Sequence, residues 1–204
     1  MQSSWSRSRQ AFIDAAEWFV DTTALVAGRW TEPGLGEWDV RSLVGHTSRS
    51  MLTVEAYLAR PAEVVEVGSD AGYYEATRAV ASGPGVAERG REAGAALGPD
   101  PAAAVAEIAA RVLPVVGACD GTEVITTIAG GMRLADYLPT RTFELVVHTA
   151  DLAAALDLPA DVPPVPAAEA LALVAELAVA GDLAGPLLRA ATGRDALPPG
   201  FSVL

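Results

Sequence analysis

The sequence predicts a mainly α fold: a four-helix bundle with a short β-hairpin before its last bundle helix and extra helices at the C-terminal end. Three observations predict it. Apolar residues recur three, four or seven apart in four long segments, a single short run is β-branched throughout, and a proline-dense link precedes two further helical stretches. The 204 residues suffice for one well-packed core, and 51% hydrophobic against 20% charged residues excludes a disordered chain.

The first helix is expected from Ser3 to about Ala27, with Trp5, Phe12, Ala16, Phe19, Thr23 and Val26 on one face. Gly28, Pro33, Gly34 and Gly36 break it. A second helix should run from about Val40 to Ala59, with Asp39 capping its free amides and Trp38 stapling onto Leu43. Arg60-Pro61 ends it, because proline disfavours helical backbone in the residue before it. Between residues 62 and 98, glycines, including Gly83-Pro84-Gly85, interrupt Ala-rich pieces and leave the organisation unread. A third helix is expected from Pro101 to about Gly117, with Asp100 as cap and Val105, Ile108, Ala109, Val112 and Val116 as its stripe.

Val124 to Ile128 then reads as a strand, Gly130-Gly131 as a turn and Met132 to Leu134 as its return. The fourth bundle helix is expected to open at Pro139 and run to about Leu156, with Phe143, Val147, Ala150 and Ala154 near one apolar stripe. Four prolines between Pro159 and Pro166 predict a stiff extended link, followed by helices at Ala167–Ala180 and near Asp182–Ala191. The division is thus a bundle over residues 1–158 and a short helical extension over 159–204, packed on the bundle.

Charge narrows the function. Fourteen Lys and Arg against 26 Asp and Glu leave a net charge of −12, which argues against a nucleic-acid partner. No stretch between charged residues exceeds nine positions, so no membrane span is expected, and Asp14 and Glu17 cut the apolar run that a signal peptide would need. A cytoplasmic protein follows. Cys119, the single cysteine, closes an apolar helix and reads as a packing residue. The four tryptophans read as core or staple residues.

Chemistry points to the two histidines, each inside a predicted helix. His46 shares a face with Leu43, Ser50 and Tyr57, so its imidazole should point into the bundle. Glu144 and His148 are four apart, a rotation of about 40° and a rise of about 6 Å, so both can converge on one ion. Arg141 and Asp151 continue that face. Two arrangements fit: a solvated face with Arg141–Glu144 and His148–Asp151 pairs, or an ion held by His46, Glu144 and His148. Three protein ligands with one open position are of the catalytic type, and Asp151 would then orient an imidazole from behind.

Three blocks carry a resemblance: Glu37-Trp38-Asp39-Val40-Arg41-Ser42-Leu43-Val44-Gly45-His46, Met132 to Leu138, and Arg141-Thr142-Phe143-Glu144-Leu145-Val146-Val147-His148-Thr149-Ala150-Asp151-Leu152. In this order they resemble the mycothiol-dependent maleylpyruvate isomerase family, part of the DinB-like, YfiT-like group of metal-binding four-helix bundles. The tail, Thr192-Gly193-Arg194 with Leu197 to Phe201, is similar to family endings.

The resemblance implies a divalent metal, zinc, on His46, Glu144 and His148; Arg141 and Asp151, on the same helix face, are the candidates to support it from behind. It also implies mycothiol as thiol cosubstrate and a small electrophile as the other partner. The metal would bind the thiol as thiolate; in the isomerase this adds to a conjugated double bond, rotation follows, and elimination returns the thiol. Thiol S-transfer would share only the activation, and a metal-binding or regulatory bundle without catalysis is the alternative. The isomerase proper has a C-terminal part that helps enclose substrate. After Leu158 this chain offers a proline-rich link and short helices, and no single arginine matches a substrate-binding role.

Overall fold

In a computed structural model, residues 4–81 and 85–204 are described; the expected break at Gly83-Pro84 and the start at Ser3 fall outside them. Four helices form the bundle: α1 (Ser4–Ala24), α2 (Val40–Leu58), α5 (Pro101–Ala118) and α6 (Leu134–Ala155). Helices α1 and α2 each pack against both α5 and α6. Phe12 and Phe19 of α1, Leu43 and Met51 of α2, and Leu138, Leu145 and Leu152 of α6 are fully buried between them.

The starts of α2 and α5 follow from their caps. Asp39 accepts from the Ser42 amide at 2.8 Å, and Asp100 from the Ala103 amide at 3.1 Å, with Pro101 at the first helical position of α5. All five apolar positions expected in α5 are buried. By length and composition α5 could cross a membrane, although it carries Glu107 and Arg111. Its Val105, Ile108, Val112 and Val116 face lies in the core of this bundle instead. At the far end of α6, Arg29 donates to the Leu156 and Ala155 carbonyls at 2.9 and 3.2 Å, a cation on carbonyls that have no partner within the helix.

Several sequence expectations need correction. The segment between residues 62 and 98 holds two helices, α3 (Asp70–Ala81) and α4 (Val86–Ala96). The glycines of α4 do not break it; they let it approach α2. A Cβ on Gly45 would lie 2.1 Å from the Gly94 amide nitrogen, so only two glycines allow the helices this close. The hairpin exists, as β3 (Val124–Thr127) and β4 (Gly130–Arg133), but Gly130 and Gly131 lie in the second strand and the turn is Ile128-Ala129. Gly131 is needed in the strand because a Cβ there would meet the Val64 carbonyl at 2.0 Å.

Helix α6 opens at Leu134, directly from the hairpin, so Pro139 lies inside it. Its buried face is Leu138, Thr142, Leu145, Thr149 and Leu152. Ala154, expected on the apolar stripe, is exposed, and Val147 and Ala150 are only partly buried. Three buried threonines on α6 hid that face from a reading by hydrophobicity: Thr140 and Thr142 return their hydroxyls to the Tyr137 and Leu138 carbonyls. The proline link is shorter than expected, because Pro164 and Pro166 start α7 (Pro164–Ala180). Helix α7 packs against α1 and α6, and α8 (Ala184–Ala191) follows with no buried residue. A small ribbon, β1 (Pro33–Leu35) with β2 (Trp38–Asp39), leads the chain into α2.

Candidate metal centre

His46 on α2 and Glu144 and His148 on α6 meet inside the bundle. One donor atom from each lies within 4.8 Å of the other two. The imidazoles stand edge to face, centroids 5.0 Å apart at 85°. His148 Nε2 and Glu144 Oε2 are 3.3 Å apart. That is roughly the edge of a tetrahedron with bonds of about 2.0–2.1 Å from its centre, the length of zinc–nitrogen and zinc–oxygen bonds. The side chains of His148 and Glu144 are 15% and 21% exposed, so they are sheltered but reachable.

Hydrogen bonds aim these groups. Asp151 Oδ2 lies 3.0 Å from His148 Nδ1, which assigns the ring proton to that nitrogen and turns Nε2 toward Glu144. Tyr74 of α3 donates to Glu144 Oε1 at 2.8 Å. His46 Nδ1, by contrast, is buried with no partner among the described residues. An orphaned ring nitrogen is costly unless something supplies its missing contact. With two imidazoles and one carboxylate converging, the residues fit a borderline-soft divalent cation.

Burial, and then the charge of His148, lower the His46 pKa to about 4, so this ring is neutral at physiological pH. Burial also pushes His148 toward the neutral form, but its bonds to Asp151 and Glu144 outweigh that and raise it to about 9. For Glu144, burial favours the neutral acid, while the bond from His148 and the charge of Arg141 win and hold it at about 2. The centre therefore has a carboxylate ready to bind, one neutral imidazole and one that must shed a proton.

Trp38, Asp39's neighbour in β2, lies in the same buried core as Leu43 and also reaches the two imidazoles. Its indole lies 4.5 Å from the His46 ring at 34° and 6.5 Å from that of His148, and its Nε1 donates to the Ala87 carbonyl of α4 at 2.9 Å. A Cβ on Gly90 would come within 2.4 Å of that indole. Arg141 makes no ion pair with Glu144; its guanidinium sits 5.1 Å over the rings of both Tyr73 and Tyr137. Of the two side-chain pairs expected on a solvated face, only His148–Asp151 forms. Cys119 ends α5 with its thiol pushed up to about 11 by burial and then by Glu123, which suits packing and not nucleophilic attack.

Residues 14–153 match the family model described as the mycothiol maleylpyruvate isomerase N-terminal domain. The chain belongs to this family. No curated protein and no solved structure matches it. The family match takes in His46, Glu144 and His148 together with Trp38, Tyr74 and Asp151, and it ends two residues before α6 does. Its helical bundle with a short hairpin agrees with the DinB-like fold expected for the family. Helices α7 and α8 lie beyond the matched region.

Sequence reasoning missed Trp38 against His46, and Tyr73, Tyr74 and Tyr137 around Glu144 and Arg141. For Tyr73 and Tyr74 a signal existed: an aromatic pair four residues into a helix opened by Asp70. It lay in the glycine-interrupted region, where no periodicity stood out.

Proposed function

We propose that this chain is a metal-dependent enzyme in which His46, Glu144 and His148 hold a divalent ion, with zinc the best match to two nitrogens and one oxygen. The substrates on this reading are a low-molecular-weight thiol, mycothiol, and a small electrophile, joined by isomerisation of the maleylpyruvate type or by S-transfer. The observation that carries the reading is the convergence of one donor atom from each of the three residues within 4.8 Å of the other two. A bound zinc ion lowers the pKa of a coordinated thiol, so that thiolate forms near neutral pH.

The chain's own residues supply the rest. Asp151 holds a proton on His148 Nδ1, so that Nε2, once it has shed its own proton, would be free to bind the ion. Tyr74 holds the carboxylate, and Trp38 covers the His46 ring and excludes water from that side. Three protein ligands leave a position for the thiol. In isomerisation the thiol sulfur adds to a conjugated double bond, the former double bond rotates, and elimination restores both alkene and thiol. In S-transfer the sulfur–carbon bond is kept. We assign residues 1–158 to the metal-binding bundle and 159–204 to a helical extension. A cytoplasmic setting, where thiols stay reduced, suits this chemistry.

Elemental analysis tests the site: about one zinc per chain is expected, and a ratio near zero after zinc addition overturns it. With the metal in place, thiol-dependent turnover of maleylpyruvate, or transfer of the thiol to a bimane reagent, is expected. Full metal loading without either activity would favour a non-catalytic metal-binding or regulatory bundle.

A further inference from the structure

Two arginines beside the triad are left unused by this chemistry. Helices α2 and α6 run antiparallel, because His46 faces His148 at 5.0 Å while Tyr57, further along α2, faces Tyr137, further back on α6, at 5.4 Å. Three residues forward from His46 stands Arg49; three residues back from Glu144 stands Arg141. Each step rises about 4.5 Å, and in antiparallel helices both lead the same way. Arg49 and Arg141 therefore flank the triad on one side, between it and the Tyr57–Tyr137 pair. The charges of both act on His46 and on Tyr73, as a shared neighbourhood requires.

Both arginines are partly buried, yet among the described residues neither forms an ion pair. The single hydrogen bond they make is from Arg141 Nε to Thr140 Oγ1 at 3.0 Å. Tyr73 and Tyr137 crowd one side of the Arg141 guanidinium, their centroids each 5.1 Å from it and 5.5 Å from one another, and neither offers it a carboxylate. Elsewhere Arg29, Arg91, Arg111, Arg133 and Arg189 each meet a carboxylate, and the partly buried Arg41 is instead satisfied by the Gly94 and Gly98 carbonyls. With 26 acidic residues available, two sheltered guanidinium groups without one mark a place where the anion comes from outside.

Glu144 cannot serve both, since Tyr74 and His148 already engage it. On the metal-enzyme reading, a divalent ion and two guanidinium groups exceed Glu144 and Asp151 by two charges. A thiolate supplies one negative charge, and a second is still wanted. We propose that Arg49 and Arg141 form a carboxylate-binding site beside the metal centre, which recognises the acidic group of the electrophilic substrate. The location rests on the metal-enzyme reading, but binding is measurable without turnover.

The probe is succinate, an unreactive dicarboxylate, titrated by calorimetry into zinc-loaded and into metal-free protein, with its neutral dimethyl ester as control. Saturable binding of succinate and none of the ester is expected. Arg49→Gln and Arg141→Gln should each weaken it by about tenfold or more, the loss of a charge-assisted pair. Arg141→Lys should fall between wild type and Arg141→Gln. If Arg141→Gln fails to fold by circular dichroism, Arg49→Gln and Arg141→Lys carry the test. Succinate affinity unchanged in the arginine variants, or no saturable binding to either form of the protein, overturns the proposal. Zinc content of the same samples judges the metal reading separately. In turnover assays succinate should raise the KM for the electrophile; raising the KM for the thiol alone would overturn assignment of the carboxylate to the electrophile.

Discussion

The hydroxyl of Tyr74 donates to Glu144 at 2.8 Å, although the two residues are seventy positions apart and Tyr74 lies in a helix outside the four-helix bundle. Helix α3 thereby sets the direction of a carboxylate that α6 carries. Tyr74→Phe removes this bond and keeps the ring against Phe143. Zinc affinity, measured by competition with a chromophoric chelator, should fall by about tenfold, within the range for lost outer contacts to metal ligands. Unchanged affinity would show that Glu144 needs no such support.

His148→Ala should abolish zinc binding, and Asp151→Asn should weaken it by about 10–100-fold while the fold persists. In the metal-free chain His148 titrates at about 9, so at pH 7 it carries a proton that metal uptake must expel. Loading in weak buffer near pH 7 is expected to release about one proton per chain, and the release should fade as the pH passes 9. Proton release that is absent at pH 7 would contradict a His148 ligand.

Gly90→Ala places a methyl group 2.4 Å from the Trp38 indole, which Ala87 pins from the same helix. Relief requires the indole or α4 to shift, at a cost of about 1–3 kcal/mol. Urea denaturation should show that loss, and tryptophan fluorescence should change with it because the indole leaves the His46 ring. A stable variant with an unaltered spectrum would mean the contact yields freely.

Glu169 of α7 accepts from Ser8 of α1, while its Oε2 is buried without a partner. Burial raises its pKa above the ordinary 4.5, against the opposing bond from Ser8 and the nearby Thr142 hydroxyl; the charges of Asp70 and Arg7 act in opposite senses. A raised carboxyl penalises the folded state wherever it is ionised, above its folded pKa, and the penalty is relieved as pH falls toward 4.5. Glu169→Gln should therefore raise the melting temperature near pH 7.5, and the gain should shrink in acid. A gain that grows on acidification would reverse the sign argued here.

Cys119, with its thiol at about 11, should react slowly with iodoacetamide at pH 7.5. The rate should climb about tenfold per pH unit until it levels near 11, as the thiolate fraction does. Rapid labelling at neutral pH would show an activated thiol.

The bundle and the triad were legible because their signals are local: Asp39 and Asp100 announce helix starts, and the four-residue spacing of Glu144 and His148 puts both on one face whatever the fold. The partners that complete the site were not. Gly90 leaves room for the Trp38 indole and Gly94 lets α4 press on α2, and a glycine that permits close packing looks in sequence like a glycine that ends a helix. Threonines hid the buried face of α6 in the same way, since Thr142 and Thr149 count as polar until their burial is known. Arg141, read as one member of a charged stripe, finds two tyrosine rings in place of water.

His46 and Glu144 stand almost a hundred residues apart, so whatever bridges them closes a loop of nearly half the chain. Joining such distant points is entropically costly in a denatured polypeptide and nearly free once the helices have docked. An ion seated there would act as a clasp fastened last, gripping only chains whose second and final bundle helices have already found each other. Chelator resistance would then report completed folding more sharply than helix content does.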